Sequence, residues 1–188
     1  GLEDKTIFFY GGNIGHAQDI ANLLHLVKSM KVYPKAHFLF VGQGDQVDLV
    51  LKTKAADELD NLTFLPSVDQ EHYKELLTQV DVGLFSLAKT HKAHNFPGKL
   101  LGYMLQSLPI LGSVNQGNDL IEFINHQQAG FAFVNGEDQS LFEAAVSMLK
   151  SSELRDTAGQ RAYQVLQDYF SVQSAANQLI ETIEKGRK

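Results

Sequence analysis

Cysteine and tryptophan are absent from the 188 residues, and proline occurs only four times. Without cysteine there is no disulfide framework and no thiolate metal site. No apolar run approaches the roughly 18 residues of a membrane span. No basic start leads into an apolar segment, so no signal peptide is expected. Cationic excess is missing too: the formal charge is −6. An acidic chain is a poor general nucleic-acid binder, because duplex affinity comes mainly from neutralising phosphates. What remains is a globular composition, 44% hydrophobic and 20% charged. The length suits one large domain, able to bury about 70% of its unfolded surface.

Short β-branched and aromatic runs alternate with amphipathic segments. Thr6 to Tyr10, closed by Gly11-Gly12, reads as a buried strand. Ile20, Leu23, Leu24 and Val27 then follow at helical spacing. Further strands are expected at Ala36–Val41, Leu62–Leu65, Val80–Phe85, Pro109–Gly112 and Gly130–Val134. Asp45 or a neighbour is expected to cap a helix carrying Val47, Val50 and Leu51, and Asp69 a helix running to about Gln79. Residues 86–97 read as a loop, Gly98–Ser107 as a helix entered through Pro97, and Asp119–Asn125 as another. The chain is helical from Gln139 on, with breaks near Ser151 and Ser171 and an end near Gly186. Strand–helix alternation with continuously apolar strands predicts a Rossmann-like α/β three-layer sandwich. Its six-stranded sheet is mostly parallel, and extra helices follow at the C-terminus.

Open α/β sheets take ligands at the carboxyl ends of their strands. The loops to inspect are therefore 11–16, 42–45, 65–68, 86–99 and 112–118. Gly11-Gly12-Asn13-Ile14-Gly15 lets backbone approach a phosphate, with a helix N-terminus expected behind it. The pattern is G-G-x-x-G rather than G-x-G-x-x-G, and no acid ends the second strand, which disfavours a nicotinamide-dependent enzyme. The plain alternative is a glycine turn without a ligand. A second signal is charge. No Asp or Glu occurs from Val82 to Asn118, while Lys89, His91, Lys92, His94 and Lys99 all do. This cationic window falls on the expected ligand edge, and Pro97-Gly98-Lys99 opens a helix there, where amides and a cation could hold a diphosphate. The plain alternative is a sheet centre that lacks acids because it is buried. His91 and His94 have i, i+3 spacing, but no third ligand is evident, so no metal is expected.

The order of these motifs resembles a family. Tyr10-Gly11-Gly12-Asn13-Ile14-Gly15, Phe40-Val41-Gly42-Gln43-Gly44, Leu62-Thr63-Phe64-Leu65-Pro66, Val80-Asp81-Val82-Gly83-Leu84, Pro97-Gly98-Lys99-Leu100-Leu101-Gly102-Tyr103-Met104 and Leu108-Pro109-Ile110-Leu111 follow one another. They are similar to the C-terminal, donor-binding half of bacterial group 1 glycosyltransferases of the two-Rossmann (GT-B) type. The capsule, O-antigen and exopolysaccharide transferases are the nearest. The resemblance covers about Lys5 to Phe170. It implies sugar transfer from a nucleotide diphosphate sugar to a polysaccharide or lipid-linked acceptor, with retention and without a metal or other cofactor.

By position, the resemblance places Gly12, Asn13 and Gly15 by the donor phosphates and sugar. Pro66, Ser67 and Val68 would frame the base, and Pro97, Gly98 and Lys99 would hold the diphosphate, with Lys99 stabilising charge. The family commonly writes P-x-K-x-x-E-Y, its Glu binding the donor ribose; here those last two positions are Gly102 and Tyr103. Another Glu, common eight positions earlier, is His94 here. These departures point to the alternative of a degenerate, non-catalytic binding or assembly module. Residues 1–188 read as one nucleotide-sugar-binding domain whose partner is the acceptor-binding N-terminal domain of the same protein, absent from this chain. Alone, the chain is expected to be inactive. A cytoplasmic bacterial protein is implied, with peripheral attachment to the inner membrane face through the absent domain.

Overall fold

The computed structural model describes residues 1–90, 96–171 and 174. Six strands form one sheet: β1 (Thr6–Asn13), β2 (Ala36–Gln43), β3 (Leu62–Pro66), β4 (Val82–Ser86), β5 (Ile110–Val114) and β6 (Gly130–Val134). Their order is β3-β2-β1-β4-β5-β6 and every pairing is parallel. Seven helices connect and cover them: α1 (Ile20–Ser29), α2 (Val47–Ala56), α3 (Gln70–Leu77), α4 (Gly98–Leu105), α5 (Asp119–His126), α6 (Asp138–Lys150) and α7 (Ser152–Phe170).

Strand alternation divides the core in two. Phe8, Tyr10, Phe38 and Phe40 point to one face, where α1, α2 and α6 cover them. Ile7, Phe9, Leu39 and Val41 point to the other, under α3, α4, α5 and α7. Both layers are apolar because both faces of a parallel sheet are roofed by helices.

The expected fold class is what the chain has, with two local corrections and one refinement. First, β1 runs on to Asn13 and β2 to Gln43, so Gly11 and Gly12 lie inside the ladder, opposite Val41 and Gly42. A side chain on Gly42 would strike the Gly12 carbonyl, so the glycines permit close strand approach rather than end the strand. Second, no α-helix follows the glycine turn directly. His16–Gln18 form a 3-10 turn and α1 begins at Ile20, behind Asp19. Third, the cap of α2 falls on the neighbour of Asp45 and makes no side-chain bond. Gln46 holds that position, and the Asp45 carboxylate meets His16 at 2.7 Å.

Other boundaries follow local chemistry. The Asp69 carboxylate accepts from the His72 backbone N–H at 2.9 Å, opening α3. Ser151 does the same for Leu154 at 3.0 Å, which separates α6 from α7. The helix expected to end near Gly186 lies outside the described residues.

Candidate functional site

The strand order reverses direction between β1 and β4. These strands pair only at Phe8–Val82 and Phe9–Gly83, then diverge toward their carboxyl ends. Diverging strands leave a crevice, and this is where open α/β folds bind ligands. The glycine turn after β1 forms one wall. The N-terminus of α4, whose first-turn amides have no carboxylate among them, forms the other.

Lys99 bridges the two walls. It stands in the first turn of α4, and a methyl built on Gly12 would lie 3.8 Å from its Cε and Nζ. Its Nζ is buried and has no hydrogen-bond partner among the described residues. It rests 3.5 Å from the centre of the Tyr10 ring. Burial lowers its pKa to about 7, because no described group compensates the desolvated ammonium. Among the described residues this buried amine meets no hydrogen-bond acceptor, and an anion could supply one.

Gly12 makes the turn possible, with φ at +112°, a region that L side chains rarely occupy. Asn13 is exposed and donates to Gln18 Oε1 at 2.8 Å, so its side chain is steadied at the rim. Gly15 is buried beside Asn13, Gln18 and Asp45. Pro97 is the N-cap of α4, and Gly98 has open space where a side chain would stand.

A cavity of about 270 Å³ adjoins the crevice, lined by Gly12, Asn13, Gln43, Ser67, Val68 and Tyr73 among others. Ser67 donates to Gln43 Oε1 at 3.0 Å, closing its far side. Pro66, the last residue of β3, is exposed just before this cavity. The structure thus brings Gly12, Asn13, Ser67 and Val68 to one hollow and places Lys99 at its edge.

Tyr103 is different. It is completely buried, on the far side of the sheet from Tyr10. Its hydroxyl accepts from Gly11 N–H at 3.2 Å and donates to the Leu84 carbonyl at 3.1 Å. It spans the gap where β1 and β4 stop pairing, so its contacts are with the walls of the crevice. Gly102 is half-buried on α4, and a methyl built there would lie 3.6 Å from Leu77 Cδ1, an ordinary contact. Of the cationic window, Lys89 leans on Gly136 beyond β6, and His91, Lys92 and His94 lie outside the described residues. Among the described residues no His, Asp and Glu group could hold a metal ion.

Sequence reasoning missed four contributors. Gln43 was legible only as the residue between two glycines. Tyr10 and Tyr73 looked like core, and nothing in their spacing marked them. The fourth is a buried polar cluster below the loops, where Asn22 donates to Ser113 Oγ at 2.6 Å and Asn135 to Asp19 Oδ2 at 2.8 Å. It ties α1 to the ends of β5 and β6.

The 3-2-1-4-5-6 order and the crevice at its reversal define a Rossmann-like α/β domain. The chain belongs to the family of group 1 glycosyl transferases, whose family pattern matches residues 1–165. A probable glycosyltransferase, WbjE, of Pseudomonas aeruginosa is 28% identical over 127 residues, covering 68% of this chain and 32% of that protein. The chain therefore spans about a third of that relative's length. The crystal structure of HepE from Anabaena in complex with UDP has a TM-score of 0.80 at 17% identity, covering 98% of this chain and 50% of that one. The C-terminal domain of the group 1 glycosyl transferase LpcC from Francisella tularensis has a TM-score of 0.71 at 14% identity. That match covers 89% of this chain and 87% of the other. No helix among the described residues is long and apolar enough to cross a membrane.

Proposed function

We propose that this chain is the donor-binding domain of a retaining glycosyltransferase and that its crevice holds the diphosphate of a nucleotide sugar. The observation that carries the reading is the buried Lys99 amine, without a hydrogen-bond partner among the described residues, between a glycine turn and a helix N-terminus. Phosphate oxygens would give that amine the acceptors it lacks, and the amides of Gly98 and its neighbours would supply further donors. The adjoining cavity at Ser67 and Val68 takes the base, and the UDP complex of HepE supports uracil as that base.

In transfer, the nucleoside diphosphate leaves with growing negative charge. Preorganised donors at Lys99 and the α4 N-terminus stabilise that charge, an electrostatic contribution that needs no metal. The acceptor, a polysaccharide or a lipid-linked sugar, binds to an N-terminal domain of the same protein, which works in the cytoplasm at the membrane's inner face. The chain alone does not turn over nucleotide sugars, since two substrates must be held together and water excluded.

Isothermal titration of nucleoside diphosphates into this chain tests the reading. UDP is expected to bind, uridine much more weakly, and Lys99→Met to narrow the difference between them by weakening UDP far more than uridine. Equal affinity of the wild type for UDP and uridine would remove the phosphate role from the crevice. Absence of binding by every nucleotide would favour the non-catalytic module instead.

A further inference from the structure

We propose that Tyr10 is a positioning residue of the donor site: one side chain fixes both the Lys99 amine and the backbone of the glycine turn. The proposal rests on the reading of the crevice as a diphosphate site and names how its two walls are held in register.

Tyr10 is fully buried, on the face of the sheet covered by α1. Lys99 belongs to α4, which covers the opposite face. The two meet only because β1 and β4 stop pairing beyond Phe9 and Gly83. Through that gap the Lys99 Nζ reaches the Tyr10 ring, 3.5 Å from its centre. At the other end of the side chain, the Tyr10 hydroxyl donates to the Asn13 carbonyl, pinning the backbone where β1 ends. Phe40 packs on the ring at 5.6 Å between centroids, which leaves it little freedom to rotate.

The chemistry of the contact suits a residue that must be handed over. A carboxylate beside Lys99 would compete with phosphate for the same ammonium. An aromatic face attracts the cation yet offers no lone-pair acceptor, so little is broken when phosphate oxygens arrive. Desolvation holds the Tyr10 phenol above its ordinary range, so the ring is neutral and does not pair with the lysine as an anion. The other titratable groups at this point are also phenols, Tyr73 of α3 and Tyr103 of α4, and both are shifted the same way by burial. No described carboxylate contributes to the Lys99 shift. The ring therefore keeps the amine at the mouth of the crevice without satisfying it.

The test is a double-mutant cycle read by calorimetry with UDP and, as a control, uridine. Tyr10→Leu is expected to weaken UDP about tenfold while changing uridine less than about twofold. Tyr10→Phe keeps the ring and should restore most of the affinity. In a Lys99→Met background Tyr10→Leu should cost UDP much less, only what the Asn13 contact contributes, since there is no ammonium left to position. Equal losses for UDP and uridine, or an undiminished loss in the Lys99→Met background, would reduce Tyr10 to a core residue and leave the diphosphate site standing. Failure of the wild type to bind UDP overturns both readings together. Should Tyr10→Leu not fold, the wild-type domain labelled with 13C-lysine gives the answer. A Lys99 Cε–H resonance moved upfield by the Tyr10 ring current, and released on adding UDP, is the expected result. A Lys99 resonance at its ordinary position in the free domain contradicts the proposal.

Discussion

Lys99 is a destabilising residue where it stands. Its pKa is about 7 in the folded chain and near 10.5 in an unfolded one. Between those values the unfolded chain binds the extra proton, so stability rises with pH across that window and is lowest below it. Lys99→Met should therefore flatten the slope and raise stability at pH 7.5 by about 1–3 kcal/mol, the usual cost of an uncompensated buried polar group. Urea denaturation at pH 7.5 and 9.5 measures it. A variant less stable than wild type at pH 7.5 would mean that the Tyr10 contact outweighs desolvation. Gly102 offers the opposite experiment. Space exists for a side chain beside Leu77, so Gly102→Glu should fold and supply a carboxylate on the helix that carries Lys99. A carboxylate accepting from ribose hydroxyls should favour a ribonucleotide over its 2′-deoxy form by roughly tenfold or more. Equal binding of UDP and deoxy-UDP by that variant would place Gly102 away from the sugar.

At the level of elements, the boundaries that could be read were those set by side chains acting locally. Asp69 was legible as a cap because a short polar acceptor before an amphipathic run is the physical requirement of a helix start, and Ser151 was legible as a break. Ser151→Ala should lower stability by about 1 kcal/mol, seen as a lower urea midpoint with an unchanged slope. A shift smaller than a few tenths would mean that packing of α7, not its cap, sets the break. The glycine turn was misread because the reason for its glycines is tertiary. Gly42 must admit the Gly12 carbonyl, a contact between strands that no single-strand pattern displays. A related tertiary contact lies at α2: the Asp45 carboxylate pairs with the His16 imidazole, so the cap falls on Gln46 without a side-chain bond. Tyr103, part of the P-x-K-x-x-E-Y motif, joins Gly11 to Leu84 below the crevice, a contact no spacing in the sequence displays.

For the whole molecule, the continuous apolar strands required helices on both faces, and alternation with helices required parallel crossovers. Those two constraints left few topologies, and the observed order is one in which the loops after β1 and β4 share an edge. Chain topology alone thus brings the glycine turn to Lys99, although 86 intervening positions separate Gly12 from it. The charge pattern marks the edge that carries the crevice, but not which cation reaches it. Lys99 reaches the crevice, whereas Lys89 leans toward Gly136.

The central claim is that one ligand is held by both walls of the crevice between β1 and β4. A titration of the 15N-labelled chain with UDP, followed by amide resonances, tests it most directly. Saturable shifts are expected at Gly12 and Gly15 on one wall, at Gly98 and Lys99 on the other, and at Ser67 and Val68 in the adjoining cavity. All should fit one dissociation constant and weaken together in Lys99→Met. Shifts confined to one wall, or clustered on a surface away from these residues, would contradict it.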